Sequence, residues 1–532
     1  MNILSFNPNH DGAVAFIKDA QLVFSHEAEK DSNYRYSRIS TRDVMSALWK
    51  ADEIPDVVCL GGWWPQDNII PGYPVHTGYR GIGEGSILVQ KRAFLGRTSH
   101  FFSSSHERSH LLCAYGLSNL PSGTPCYALI WEGEFGSFYE VDEKFNITHI
   151  SEVLSEPGHR YASLYDLADP SFPEDAPYSR LSDAGKLMAL ASYSIRNELL
   201  PEEEDLLCFL LDTKHLRIGR DKDVKKYTYY NVGFNDAEFR NFAGILSDRI
   251  FDMFYSFAEK NMQKRLPLII GGGCGLNCDW NSRWKASGLF PEVFVSPVTN
   301  DSGSAIGTAI DAQLFFTGNP KITWDVYSGE EFDMNRPFSV DDFDIYEADD
   351  DRISDMLAND LILGWVNGRY EIGPRALGNR SILASPFKED TRIRLNNIKQ
   401  REQYRPIAPV CLEEDASKWF GCTEPSPFML YTYKAITDTL PAVTHVNKTA
   451  RLQTVSYESN YPLFKLLTSF KKQTGYGVLC NTSLNFKGRG FINGIDDLAS
   501  FTAEHLLDGF VVDGKIFLLK KSEKYQQYLN LL

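Results

Sequence analysis

Residues 2–25 read NILSFNPNHDGAVAFIKDAQLVFS. Three short apolar runs (2–6, 12–17 and 21–25) are separated by Pro8-Asn9 and by Lys18-Asp19. Runs of that length bounded by turn-forming residues predict strand, turn, strand, turn, strand: an opening β-meander.

The same grammar returns at residues 125–152, PCYALIWEGEFGSFYEVDEKFNITHISE, with runs at 125–131, 137–141 and 146–152 and with Gly133 and Gly136 in the first turn. Residues 268–275 then read as a strand entering a glycine-rich turn. A strand meander followed by helices, used twice, is the plan of the actin-like (ASKHA) ATPases, so an α/β fold with a duplicated nucleotide-binding lobe is expected. Between Asp333 and Arg352 the chain turns acidic and loses helical period, which marks a domain boundary. Beyond it, strands are expected at 361–366, 478–481 and 509–512 and helices at 390–398 and 496–506, a second domain of α/β or α+β type.

The composition bounds the function. The chain has 532 residues, 43% of them hydrophobic, and 54 Lys and Arg against 70 Asp and Glu give a net charge of −16. Such a chain is globular and long enough for two to four domains of roughly 150 residues. Its apolar stretches, such as 266–270 and 361–366, fall far short of the ~20 residues that span a bilayer, so no membrane association is expected. The start lacks the basic segment and apolar run of a secretory signal, and nine cysteines without a disulfide-like rhythm suit a reducing compartment, so a cytoplasmic location is expected. The acidic balance argues against nucleic acid as a partner.

Several constellations carry chemistry. His106-Glu-Arg-Ser-His110 sets two imidazoles four residues apart, on one face of a helix, where they can share a metal ion or serve as ordinary helical histidines. Candidate further ligands are Asp301, which ends an apolar segment before small residues that open a helix and which alternatively caps that helix, and Glu132, at the end of another strand. Two imidazoles with a carboxylate suit Fe(II), Mn(II) or Zn(II) with open positions. Gly271-Gly272-Gly273-Cys274-Gly275 with Asn277 reads as a loop that lets backbone N–H groups approach an anion, or as a tight turn. His10, after the first strand, is placed to remove a proton from an alcohol, or to pair with Asp11 in a turn.

Residues 369–405 carry nine cations against four acids, an excess of five, so the rest of the chain carries −21. A cationic island in an acidic chain predicts a site for phosphate oxygens. Gly373-Pro-Arg-Ala-Leu-Gly-Asn-Arg380 adds rigid turns, and Asn481-Thr-Ser483-Leu-Asn485 adds neutral donors after a buried strand.

With these motifs the sequence resembles the NodU/CmcH family of O-carbamoyltransferases over nearly its whole length. The resemblance rests on His10-Asp-Gly-Ala13, the paired histidines, Gly185-Lys-Leu-Met188, Gly271-Gly-Gly with Leu276-Asn277, Asp301-Ser-Gly303, residues 373–384, Arg401-Glu-Gln-Tyr-Arg-Pro406 and residues 481–485. It implies a TsaD-like, actin-like carbamoyl-transfer domain at residues 1–335 and a YrdC-like α/β domain at 345–532 that forms carbamoyl-adenylate. It also implies ATP with Mg2+ and carbamoyl phosphate as co-substrates, a hydroxyl of a small natural product as acceptor, and a homodimer as the possible assembly. Carried over by position, His106, His110, Asp301 and Glu132 would hold a divalent metal, Fe2+ by preference. Gly271, Gly272, Gly273, Asn277 and Gly303 would contact nucleotide, and His10 would be the base. Arg375, Arg380, Lys399, Arg401, Arg405, Asn481 and Ser483 would line the adenylation site, with Arg375 and Arg405 acting in catalysis. Two departures stand out: the family's Asp-Gly is Glu132-Gly133, and the second residue of its His-His-x-x-His is Glu107. Two other functions compete: a tRNA threonylcarbamoyl-type transferase, for which an acidic chain offers little track, and a nucleotide-binding sensor without catalysis.

Overall fold

The computed structural model describes residues 1–32, 34–62, 79–174, 176, 179–212 and 222–531. The chain forms two compact units: residues 1–112 with 301–532, and residues 113–300.

The first unit opens with a six-stranded sheet, β1 (Asn2–Asn7), β2 (Ala13–Lys18), β3 (Gln21–Glu27), β4 (Val57–Leu60), β5 (Ile87–Phe94) and β6 (Arg97–Ser104), in the order β3-β2-β1-β4-β6-β5. The meander β1-β2-β3 is antiparallel, and β1, β4 and β6 run parallel. Side chains alternate as the period of two requires: Leu4, Phe6, Val14, Phe16 and Phe24 pack beneath helix Thr41–Ala51, and helix Ser304–Thr317 packs on β1, β2, β4 and β6. Because β1 and β6 are parallel, their carboxyl ends share one edge. There β1 feeds the loop that holds His10 and β6 runs almost directly into helix His106–Leu117.

The second unit holds β7 (Cys126–Trp131), β8 (Phe135–Val141), β9 (Ile147–Ser155), β10 (Leu268–Gly271) and β11 (Val293–Val295), in the order β11-β10-β7-β8-β9. Again an antiparallel meander is continued by two parallel strands. Each half therefore has the strand order 3-2-1-4-5, the first with one added hairpin strand, which is the duplicated actin-like plan expected from the two meanders.

The remainder of the first unit builds an eight-stranded mixed sheet from β12 (Phe343–Glu347), β13 (Leu363–Val366), β14 (Arg380–Ala384), β15 (Ala408–Leu412), β18 (Gln453–Val455), β19 (Val478–Ser483), β20 (Gly509–Val512) and β21 (Lys515–Leu519), with β16 (Thr432–Lys434) and β17 (Thr449–Arg451) as a separate pair. Both of its faces are buried: Ile382, Cys480, Phe510 and Phe517 point to one core, and Leu383, Leu479, Val511 and Leu518 to the other. Helices Glu389–Ile398 and Ile495–His505 cover the first face, and helices Asp350–Ala358 and Tyr461–Thr474 the second. The layering is α/β/α, and the 371–379 loop leads into central strand β14.

Candidate functional site

Helix His106–Leu117 begins where β6 ends, with the Ser105 hydroxyl accepting from the Arg108 N–H at 3.2 Å. The helical spacing then stacks the two histidines. Their Nε2 atoms are 3.1 Å apart with the rings edge to face, and both side chains are buried. Asp301 sits in a 3-10 turn, and the residue at the cap of helix Ser304–Thr317 is Gly303. The Asp301 carboxylate is therefore not spent on capping. Its Oδ1 lies 3.2 Å from His110 Nε2 and 3.7 Å from His106 Nε2. Two ligands at right angles on a metal with bonds of about 2.1 Å lie about 3 Å apart, so the donor set fits a cation at its centre. The motif is braced by Arg108, whose guanidinium makes a buried two-pronged pair with Asp311 at 2.6 and 2.7 Å.

His10 joins this group. Its Nε2 is 3.1 Å from Asp301 Oδ2, and its Nδ1 is 2.9 Å from Asp11 Oδ2. The loop is tied down by Asn7, whose amide donates to the Asp301 and Asp11 carbonyls. His10, Asp11, His106, His110 and Asp301 thus form one cluster, in which Asp301 faces the histidine pair with one oxygen and His10 with the other. Glu132 belongs to the second unit, where it is buried after β7 and its backbone carbonyl accepts from Gly158 N–H.

The glycine-rich turn of the second unit follows β10. Gly272 has φ +88, and a Cβ there would lie 2.3 Å from the Trp131 carbonyl oxygen, so glycine is the residue that fits. Gly273–Leu276 is a 3-10 turn, and Asn277 caps helix Cys278–Ala286 by accepting from Asp279 and Trp280 N–H at 3.2 Å. Asn277 therefore spends its side-chain oxygen within the protein.

The cationic segment divides into braces and a cluster. Arg380 is fully buried, and it donates to the carbonyls of Asn367, Gly368, Asn379 and Glu330 and to the Asn493 side chain. Burial pushes it down to about 10. These bonds make it a brace under the 371–379 loop. Arg369 likewise donates to the Val23, Ser328 and Gly329 carbonyls. The loop carrying Arg375 is shaped by Glu371, whose Oε1 accepts from the N–H groups of Leu377, Asn379 and Arg380.

Lys399, Arg401 and Arg405 form the cluster. Lys399 donates to the Ser483 and Asn485 carbonyls at 2.6 and 2.7 Å, which brings Ser483 into the group. Burial, then Arg401, Arg405 and Arg35, hold its ammonium well below the usual range. Arg401, which donates to Asn396 Oδ1 at 2.6 Å, is held well below its ordinary value by burial and then by Arg405 and Arg451. Asn481 links β19 to the loop, donating to the Ala376 carbonyl and to Gln453 Oε1. Sequence reading missed Arg451 and Gln453, which lie outside the dense segment and reach it through β17 and β18. It also missed Lys30, a buried ammonium that donates to Glu27 Oε1 and to the Glu371 and Gly373 carbonyls, and so anchors the Arg375 loop.

Comparison with known proteins adds identity to this geometry. A family model described as Carbamoyltransferase N-terminus matches residues 89–310, and one described as Carbamoyltransferase C-terminus matches residues 354–520. The 3'-hydroxymethylcephem-O-carbamoyltransferase of Amycolatopsis lactamdurans is 44% identical, the match covering 96% of this chain and 98% of that protein. Nodulation protein U of Rhizobium tropici is 32% identical over 92% of each. A solved activator of the 2-hydroxyisocaproyl-CoA dehydratase from Clostridium difficile matches 58% of this chain and 93% of its own at 12% identity and a TM-score of 0.32, too low to bear on the fold, which rests on the strand order above.

Proposed function

The chain belongs to the carbamoyltransferase family and is an O-carbamoyltransferase; we propose that it uses ATP and carbamoyl phosphate to carbamoylate a hydroxymethyl group on a small natural product. The observation that carries the nucleotide half of this reading is the crowding of Lys399, Arg401, Arg405 and Arg451. Lys399 and Arg401, whose protons are loosened first by burial and then by neighbouring cations, are in a chain of −16 stabilised by a polyanion in their midst.

In the proposed sequence water hydrolyses carbamoyl phosphate to carbamate and inorganic phosphate, and a carbamate oxygen then attacks the α-phosphorus of ATP and expels pyrophosphate. Arg375, Arg401 and Arg405 offset the charge on the phosphates, with Lys399, Asn481 and Ser483 shaping the pocket. The acceptor hydroxyl then attacks the carbamoyl carbon, the bond to AMP breaks, and the alcohol proton passes to His10, oriented by Asp11. His106, His110 and Asp301 would hold a divalent cation, Fe(II) by the two-histidine, one-carboxylate donor set, which as a Lewis acid would polarise the carbamoyl oxygen. Gly271 to Gly273 and Gly303 are the proposed backbone contacts to nucleotide. A 3'-hydroxymethylcephem, named for the 44% identical relative, is the first acceptor to test.

The test is to incubate the protein with Mg2+, Fe2+ and ATP, with and without carbamoyl phosphate. AMP and pyrophosphate are expected only when carbamoyl phosphate is present. Their absence in both cases, or equal formation in both, would refute the proposal.

A further inference from the structure

Asn9 lies in the loop between β1 and β2, one residue before His10. Its side chain is 3% exposed, and among the described residues neither its amide oxygen nor its amide nitrogen has a hydrogen-bond partner. Each buried polar atom left unmade costs about 1–3 kcal/mol, and native proteins leave few. Asn7, two residues earlier, shows the loop's ordinary behaviour: its amide nitrogen is engaged, donating to the Asp301 and Asp11 carbonyls. A buried carboxamide unpartnered among the described residues, beside the residue that faces both Asp11 and Asp301, is matched to a group the chain itself does not supply there.

The matching group is constrained by chemistry. To satisfy Asn9 in one step it must present an acceptor and an N–H donor side by side. A carbamoyl group, O–C(=O)–NH2, does so: its carbonyl takes the Asn9 N–H while its NH2 gives to the Asn9 carbonyl. A phosphate offers acceptors alone, and an acetyl group lacks the donor. We propose that Asn9 is the specificity-determining residue that holds the carbamoyl group by its amide edge during transfer. This deepens the function proposed above and rests on it. Unmade hydrogen bonds in the free protein that are made on the reacting group favour the bound state, at the expense of the fold.

That trade-off supplies the test. Asn9→Leu removes two unsatisfied polar atoms at similar volume, so its melting temperature is expected to equal or exceed that of the unchanged protein. Carbamoyl-phosphate-dependent AMP formation is expected within twofold, while carbamoylated 3'-hydroxymethylcephem formed per AMP falls at least tenfold. Asn9→Asp, which keeps the acceptor and loses the donor, is expected to show the same fall. A melting temperature lowered by several degrees would make Asn9 a structural residue and overturn the inference, as would unchanged product per AMP in Asn9→Leu. If the unchanged protein itself forms no AMP from ATP and carbamoyl phosphate, it is the function proposed above that fails.

Discussion

On the proposed function, single side chains should divide the two half-reactions. His106 belongs to the Asp301 cluster, so His106→Ala should lower bound metal and cut carbamoyl transfer at least tenfold, while carbamoyl-phosphate-dependent pyrophosphate release persists. Elemental analysis and the two product assays check this together. Arg405 and Arg380 make the complementary pair. Arg405 is partly exposed and its recorded ion pair, with Glu402, is loose at 3.8 Å, so Arg405→Ala should leave stability within about 0.5 kcal/mol and suppress adenylation. Arg380→Met strips the donors from at least four backbone carbonyls and should cost about 3 kcal/mol or more in chemical denaturation. At this scale the sequence shows residue type and spacing but not partners. It marked His10, His106, His110 and Asp301 because each stands at the end of a recognisable strand or on one helix face. It could not separate Arg380 from Arg405, since both are arginines in one dense run and only the fold shows which is already satisfied. Asn9 left no signal, because an unmade hydrogen bond has no sequence signature.

Elements set how these groups respond to solvent. His26, on β3, is stacked on Phe24 at 4.4 Å and faces Glu330 at 3.3 Å, with Lys50 and Arg369 also acting on it. Burial is the dominant influence and pushes its imidazole down to about 3, against an ordinary 6.5. The unfolded chain therefore binds more protons than the native one between those values, so stability is full above pH 6.5 and is lost as pH falls through the window. At pH 5 the loss from this group is on the order of 2 kcal/mol. His26→Gln should be less stable than or equal to the unchanged protein at pH 7 yet show a smaller drop between pH 7 and pH 5, as read by denaturant midpoints at the two pH values. Strands such as β1 to β3 and β7 to β9 were legible because short apolar runs met Pro, Gly and Asp turns, and the period of two did the rest. Helix Thr41–Ala51 was legible in the spacing of Val44, Ala47, Leu48 and Ala51 and in its Ser40–Asp43 capping box but was not read, whereas β5 is half-exposed and β16 and β17 are three residues each, too short for a period to show.

At the scale of the whole molecule, the acidic chain folds so that charge is segregated. The cations of residues 369–405 are partly consumed as internal braces and partly gathered with Arg451 beside β19. The duplicated strand order was readable from two meanders a hundred residues apart. The contribution of residues 301–317 to the first unit, by contrast, depends on a helix returning to the first sheet, and no local pattern announces it.

On the proposed function, adenylation and transfer are consecutive steps of one reaction on a hydroxyl acceptor. This is tested most directly by the ratio of carbamoylated 3'-hydroxymethylcephem to AMP, by mass spectrometry, at saturating ATP, carbamoyl phosphate and acceptor. One carbamoyl addition for each AMP formed is predicted; AMP accumulating at the same rate with no carbamoylated product would contradict it.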